Sequence, residues 1–177
     1  ALGCGINDIR AGLESVVVPG RMEHYLLPND VDVIVDCAHN KISYEALFRY
    51  AQEQYAGKQI GFLFGCVGDK AFNRRKEAAG VCDMYADYAV ITERDPGKEP
   101  VEKICEEIFE NLEDQDKALI ITDRDEAVEH ILDMSVMMGN AVVLLCGCGS
   151  DAYVKRGTQL IPFMTDGERV QKYIEEL

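Results

Sequence analysis

Five short apolar runs recur along the chain, and each pair is separated by enough residues to form one helix. The runs occupy residues 31–36, 59–65, 87–92, 117–123 and 141–147. The segments between them place apolar residues at helical spacing. Strands rich in Val and Ile that alternate with helices form parallel sheets covered by helices. We therefore predict an α/β fold, a Rossmann-like three-layer domain with a mostly parallel sheet and helices on both faces.

The two ends of the chain are less regular. The first residues predict an amphipathic helix, with Asn7 or Asp8 as its cap. A Pro-Gly pair follows, so we expect residues 1–19 to be a linker or the tail of a preceding domain, and residues 20–177 to form the α/β domain. A helix capped by Asp166 is predicted at the other end.

Composition excludes several classes of partner. The net charge of -14 over 177 residues argues against binding to nucleic acids and to anionic membranes. No apolar run is long enough to be inserted in a bilayer.

The 7 cysteines are scattered through predicted strands and helices, which is typical of a reduced cytoplasmic protein. Cys146 and Cys148 form a C-x-C, but no second pair with zinc spacing accompanies them, so no metal site is predicted.

Polar residues and glycines follow each predicted strand. Ligands of open parallel sheets bind at the carboxyl ends of the strands, where such loops meet. The residues in question are 36–40, 65–70, 92–96, 123–124 and 147–151. Their clustering predicts a binding site along one edge of the sheet.

The first two of these loops allow two interpretations each. Asp36 can accept hydrogen bonds from sugar hydroxyls, and His39 and Asn40 can contact a base, but the same residues also suit a helix cap beside a solvated His. The glycines of residues 65–70 lack the endings of nucleotide-binding glycine motifs. The basic side chains that follow them are either an anion site or a solvated helix start.

Six motifs, in this order, resemble those of the Mur ligase family, and within it those of the enzymes that make UDP-N-acetylmuramoyl-tripeptide (the MurE type). Residues 19–23 read PGRME, as does the family's junction between its central and C-terminal domains. Residues 36–40 resemble D-Y-A-H-N/T-P, and residues 64–70 with 74–75 resemble F-G-C-G-G-D-R…K-R. The other matches are residues 92–96 to T-x-D-N-P-R, 123–128 to D-R-x-E-A-I and 147–151 to G-K-G-H-E.

The resemblance implies an ATP-dependent amide ligase and assigns residues to its ligands. ATP contacts fall on Arg21, Asp36, His39 and Asn40. Contacts with the incoming amino acid fall on Arg94, Asp95, Gly147, Ser150 and Asp151. Further candidates for anion contact are Lys70, Arg74 and Arg75. No catalytic residue is expected in this chain.

The resemblance also implies the cofactors and partners. ATP and Mg²⁺ would be bound mainly by a central domain, because the chain contains no G-x-x-G-K-T/S loop. The partners would be UDP-muramoyl-dipeptide, a free amino acid, and the central and N-terminal domains of the same enzyme. We therefore expect the chain to be inactive by itself.

Several departures from the family pattern bear on the substrate. Gly97 stands where enzymes that add diaminopimelate carry an Arg, and Ser150-Asp151 replaces His-Glu. Both changes disfavour diaminopimelate, whereas Asp151 suits lysine or ornithine and Arg94 complicates that choice. Two alternatives are a stand-alone module that binds a nucleotide or amino acid, and a domain of another Mur-like ligase, for folylpolyglutamate or cyanophycin synthesis.

Overall fold

The structure, a computed structural model, describes residues 3–177. The strands are β1 (Glu23–Leu27), β2 (Val31–Asp36), β3 (Gln59–Phe64), β4 (Tyr88–Ile91), β5 (Ala118–Ile120), β6 (Ala141–Cys146), β7 (Tyr153–Arg156) and β8 (Gln159–Pro162). The helices are α1 (Ile6–Ser15), α2 (Lys41–Gln54), α3 (Asn73–Tyr85), α4 (Val101–Phe109), α5 (Arg124–Met138) and α6 (Asp166–Glu176). Within residues 3–177, no helix has the length and apolar character needed to cross a membrane.

Six strands form one sheet in the order β1-β2-β6-β3-β4-β5. All neighbours pair in parallel except β1, which runs antiparallel to β2 at one edge. β7 and β8 form a separate antiparallel hairpin. The predicted mostly parallel sheet is therefore confirmed.

Side chains of each central strand alternate between two apolar cores. In β6, Val143 and Leu145 pack with α5 and α6, whereas Val142 and Leu144 pack with α2, α3 and α4. This alternation follows from the two-residue repeat of a strand, and burial on both faces explains why the runs are continuously apolar. Helices cover both faces, so the predicted three-layer architecture is confirmed as well.

Several helix ends differ from the sequence-based expectations. The N-cap of α1 is Gly5, whose N–H donates to the Asp8 carboxylate, so neither predicted cap is correct. The prediction of Asp166 as the cap of α6 is also wrong. Thr165 is the cap, because its hydroxyl accepts the N–H of Glu168 while the Glu168 carboxylate accepts the N–H of Thr165.

Asp166 instead forms a fully buried ion pair with Arg124, the first residue of α5. Nε and Nη2 of Arg124 donate to the two carboxylate oxygens of Asp166 at 2.8 and 2.7 Å. Nη1 donates to the carbonyl of Glu93 at 3.1 Å, and Nη2 also donates to the carbonyl of Cys146 at 2.9 Å. One guanidinium thus links α5 and α6 to the chain that leaves β4 and β6.

Replacing Arg124 by Met should strongly destabilise the domain, because it leaves the buried Asp166 carboxylate with only the more distant Arg169, at 3.5 Å, and leaves the carbonyls of Glu93 and Cys146 without this donor. We expect the free energy of unfolding in urea to fall by about 3–5 kcal/mol. Adding Asp166→Leu should recover part of that loss. Lys172→Met, which removes an exposed pair with Glu176, is the control and should leave the free energy nearly unchanged. Equal effects of Arg124→Met and Lys172→Met would contradict the assigned role of Arg124.

Candidate functional site

The loops that follow β2, β4 and β6 approach the turn at residues 20–22 at the carboxyl edge of the sheet. We call this edge, with its loops, the rim. Gly20, at φ +66°, lies so close to the β6 loop that an added Cβ would be 2.1 Å from the amide nitrogen of Ser150. A Cβ on Gly149, at φ +53°, would be 3.0 Å from that of Cys37. These contacts leave no room for side chains, so glycine is required for this approach of the backbones.

Asp36 connects the turn at residues 20–22 to the end of β2. Its Oδ2 accepts the N–H of Met22 at 3.0 Å, and its Oδ1 accepts the N–H of Ala38 at 2.8 Å. The side chain of the neighbouring Arg21 is exposed. The carboxylate therefore has a fixed position at the rim, beside an exposed cationic side chain.

His39 lies among positive charges. Its Nδ1 is 2.9 Å from the main-chain carbonyl two residues earlier, so in the neutral ring Nδ1 carries the proton and Nε2 is an acceptor. Partial burial lowers the pKa of His39, and the positive charges of Arg94, Arg74 and Arg21 lower it further, whereas Asp151 acts in the opposite direction. The rim thus brings several predicted site residues together and forms a cationic patch in an acidic protein.

Arg94 is held against the β6 loop by one hydrogen bond. Its Nε donates to the carbonyl of Gly147 at 2.9 Å, and a Cβ on Gly147, at φ +108°, would be 2.8 Å from Cδ of Arg94. Within residues 3–177, no acceptor receives a hydrogen bond from its two terminal nitrogens. The guanidinium is therefore oriented with a fork that can bind a carboxylate.

Asp95, Ser150 and Asp151 differ in how they are placed. The side chains of Ser150 and Asp151 are exposed at the rim. Oδ1 of Asp95 accepts the N–H of Lys155 at 2.9 Å, so this carboxylate faces the β7–β8 hairpin. The sequence-based prediction placed Asp95 against the amino acid, but this hydrogen bond gives it a role in holding the loop.

The three basic side chains predicted after β3 differ in their exposure. Lys70 is exposed and Arg74 is half-buried, but Arg75 is buried. Nη2 of Arg75 donates to Glu99 at 2.9 Å, and Nη1 donates to Glu107. Its predicted contact with an anion is not supported by this geometry, because the guanidinium joins α3 to α4.

Asn40 is engaged as the cap of α2. Its Oδ1 accepts the N–H of Ser43 at 3.1 Å, and the Ser43 hydroxyl accepts the N–H of Asn40 at 3.2 Å. This capping box also explains why α2 begins at Lys41. The amide nitrogen of Asn40 and the second lone pair of its Oδ1 remain for a ligand.

Two further residues near the rim matter: Glu93, which lies in the predicted cluster at residues 92–96 but was assigned no role, and Arg156, which was not predicted. Glu93 is buried, and its carboxylate pairs with Arg156 of β7 at 2.6 Å. A charged residue directly after an apolar run was the available signal for Glu93, whereas the pattern around Arg156 did not predict a strand.

One cavity lies at the rim and another lies away from it. A cavity of about 300 Å³ opens beside Gly149 and Ser150 at the rim. A groove of about 450 Å³ lies between α2 and α3, lined in part by Gly80 and Met84. Among residues 3–177, no three His, Cys, Asp or Glu side chains are arranged to hold a metal ion.

Comparison with known proteins gives close matches. A family described as Mur ligase, glutamate ligase domain, matches residues 20–149. UDP-N-acetylmuramoyl-L-alanyl-D-glutamate–L-lysine ligase of Enterococcus faecalis is 34% identical over 175 residues, covering 99% of this chain and 34% of that protein. UDP-N-acetylmuramyl-tripeptide synthetase of Lactobacillus acidophilus is 36% identical over 178 residues, covering 99% and 33%. The chain spans about a third of the length of these curated relatives.

Solved structures share the fold. A UDP-N-acetylmuramoyl-L-alanyl-D-glutamate–2,6-diaminopimelate ligase superposes with a TM-score of 0.80 at 20% identity, covering 97% of this chain and 36% of that chain. Folylpolyglutamate synthase of Mycobacterium tuberculosis, complexed with ADP, superposes with a TM-score of 0.61 at 18% identity, covering 82% and 33%. At these identities, the likeness concerns the fold and not the substrate.

The pKa of His39 provides a test of the rim geometry. We expect a value below the usual 6.5, and we expect Arg94→Ala to raise it, because one of the neighbouring positive charges is removed. NMR titration of the imidazole signals measures both. His24, which pairs with Asp32 on the edge of the sheet, is the control, and its signals should be the same in both proteins. An unchanged His39 titration in Arg94→Ala would contradict the proximity of the two side chains.

Proposed function

The chain belongs to the Mur ligase family, and we propose that it is the C-terminal domain of an ATP-dependent ligase that adds the third amino acid to UDP-N-acetylmuramoyl-L-alanyl-D-glutamate. The observation that carries this proposal is the convergence of Arg21, Asp36, His39 and Arg94 at one rim. The names of the relatives at 34% and 36% identity support the tripeptide-forming class. In this proposal, residues 1–19 are the linker or tail of the preceding domain.

The proposed reaction has two steps. The precursor's carboxylate attacks the γ-phosphorus of ATP, which yields an acyl phosphate and ADP. The amine of the incoming amino acid then attacks the acyl carbon, and the amide forms with release of phosphate and a proton. We assign the phosphate loop and the magnesium ligands to another domain, so this chain alone would bind ligands without turning them over. Closure of the two domains would bring the rim onto the reacting groups.

ATP would lie against the side of the rim formed by residues 20–22 and the β2 loop. Asp36 would accept hydrogen bonds from the ribose hydroxyls, since each of its oxygens retains a further lone pair. Arg21 is exposed beside it and would pair with the phosphates. His39 and Asn40 would flank the nucleotide, and Lys70 and Arg74 would add positive potential.

The incoming amino acid would occupy the other side of the rim. Arg94 would hold its α-carboxylate through the two terminal nitrogens, with Gly147 fixing the Arg94 side chain. Asp151 would attract a distal ammonium group, with Ser150 beside it, and Gly97 offers no side chain for a second carboxylate. We therefore propose lysine or ornithine as the substrate, in keeping with the lysine ligase among the relatives.

Removing either Arg21 or Asp36 should weaken ATP use by the full-length ligase. We expect Arg21→Ala and Asp36→Ala each to raise the KM for ATP about 10- to 100-fold, as the loss of a charge-assisted hydrogen bond predicts. Arg10→Ala, an exposed arginine on α1, is the matched control and should leave the KM unchanged. Circular dichroism checks that the variants are folded. Normal ATP kinetics in both variants would refute the proposed nucleotide site.

A panel of amino acids tests the acceptor assignment. We expect phosphate release by the full-length ligase, in the presence of ATP and precursor, to be fastest with lysine or ornithine. Diaminopimelate should be slower by about tenfold or more, because its second carboxylate would meet Asp151 without a compensating Arg. Turnover that is fastest with diaminopimelate would overturn the assignment of Gly97 and Asp151.

A further inference from the structure

The β7–β8 hairpin is bound to the loop that follows β4. The N–H of Gly97 donates to the carbonyl of Lys155 at 3.0 Å, and the N–H of Gly157 donates to the carbonyl of Gly97. The N–H of Lys155 donates to Oδ1 of Asp95 at 2.9 Å. Gly97 also lies in a parallel bridge beside Arg156. The hairpin therefore holds this loop almost as a neighbouring strand would.

The loop has a backbone conformation that needs such support. Asp95 has φ +41° and Gly97 has φ +61°, one on each side of Pro96. A left-handed conformation is unfavourable for a residue with a Cβ, and it persists where surrounding contacts impose it. For Asp95, these contacts are its side-chain hydrogen bond to the hairpin and its carbonyl, which accepts the N–H of Gly68 at 3.0 Å.

An ion pair adds a second attachment, one residue before Arg94. The Glu93 carboxylate is 4% exposed and pairs with Nη2 of Arg156 at 2.6 Å. The carbonyl of Glu93 accepts Nη1 of Arg124. Burial raises the pKa of Glu93 while the positive charge of Arg156 opposes that rise. Arg94 thus lies between two residues, Glu93 and Asp95, whose side chains are both held by the hairpin.

We propose that Arg156 is a positioning residue for the incoming amino acid, acting through Glu93 on the orientation of Arg94. Arg156 itself would touch no ligand. This inference rests on the proposed function, because it assigns to the hairpin the task of presenting the terminal nitrogens of Arg94 to a carboxylate. The Arg156 side chain is 44% exposed, and Val154 is the buried core residue of β7, so loosening this pair should alter the loop more than the fold.

The experiment compares the KM for the amino acid with the KM for ATP in the full-length ligase. Arg156→Ala and Glu93→Gln should each raise the KM for the preferred amino acid about tenfold while the KM for ATP stays within about twofold. The double variant should be no worse than the more affected single variant, because the two residues act as a pair. Arg156→Lys should recover part of the affinity.

Lys155→Ala is the matched control. It removes one positive charge from the same strand, but Lys155 contacts the loop through its backbone only, so the KM for the amino acid should not change. Equal KM values in Arg156→Ala and Lys155→Ala would overturn the inference. So would a parallel rise of both KM values together with a lower melting temperature, since that would indicate a general loss of stability.

The same assay separates this inference from the function on which it rests. A wild-type enzyme that releases no phosphate in response to any amino acid would overturn the proposed function, and the inference with it. A wild-type enzyme that is active, with an Arg156→Ala variant that matches the control, would overturn the inference alone.

Discussion

The buried guanidinium of Arg124 is the interaction on which the rim depends. A carboxylate and two main-chain carbonyls converge on it, and each would be costly to bury without a donor. The planar fork of an arginine satisfies all of them at once, which a lysine could not do. Because Asp166 belongs to α6 and the carbonyls belong to Glu93 and Cys146, the same contact sets the chain direction at the start of two rim loops. The D-R motif therefore has a structural role below the site.

Above this ion pair, the rim is built mainly from backbone. Gly20 and Gly149 approach one another without side chains, Asp36 holds two amide N–H groups, and Gly147 gives Arg94 a surface to lie on. The result is a local concentration of positive charge in a protein of net charge -14. Local charges of this kind, and not the mean charge of the chain, determine whether a phosphate or a carboxylate can bind. This distribution reconciles an acidic domain with anionic ligands.

The parallel strands and α5 could be predicted because their signals are local. The apolar runs of β2, β3, β4 and β6 are buried on both faces, and Asp123 accepts two N–H groups at the first turn of α5. Convergence of the rim residues followed from the general rule about strand ends. The buried ion pairs of Arg75 could not be predicted, because its partners are distant in sequence: Glu99 lies just before α4 and Glu107 lies within it. The hairpin strand β7 was missed because it is short and mostly exposed, and its attachment to Gly97 is a tertiary contact.

Hydrogen exchange in the full-length ligase tests most directly whether these loops act as one binding surface. Amide exchange would be compared with and without a non-hydrolysable ATP analogue, the precursor and lysine. The expected result is slower exchange, under the same conditions, at residues 20–22, 36–40, 92–97 and 147–151, with no change at the opposite edge of the sheet, residues 55–58 and 139–140. Protection confined to that opposite edge, or to the groove between α2 and α3, would contradict the assignment of the rim as the site.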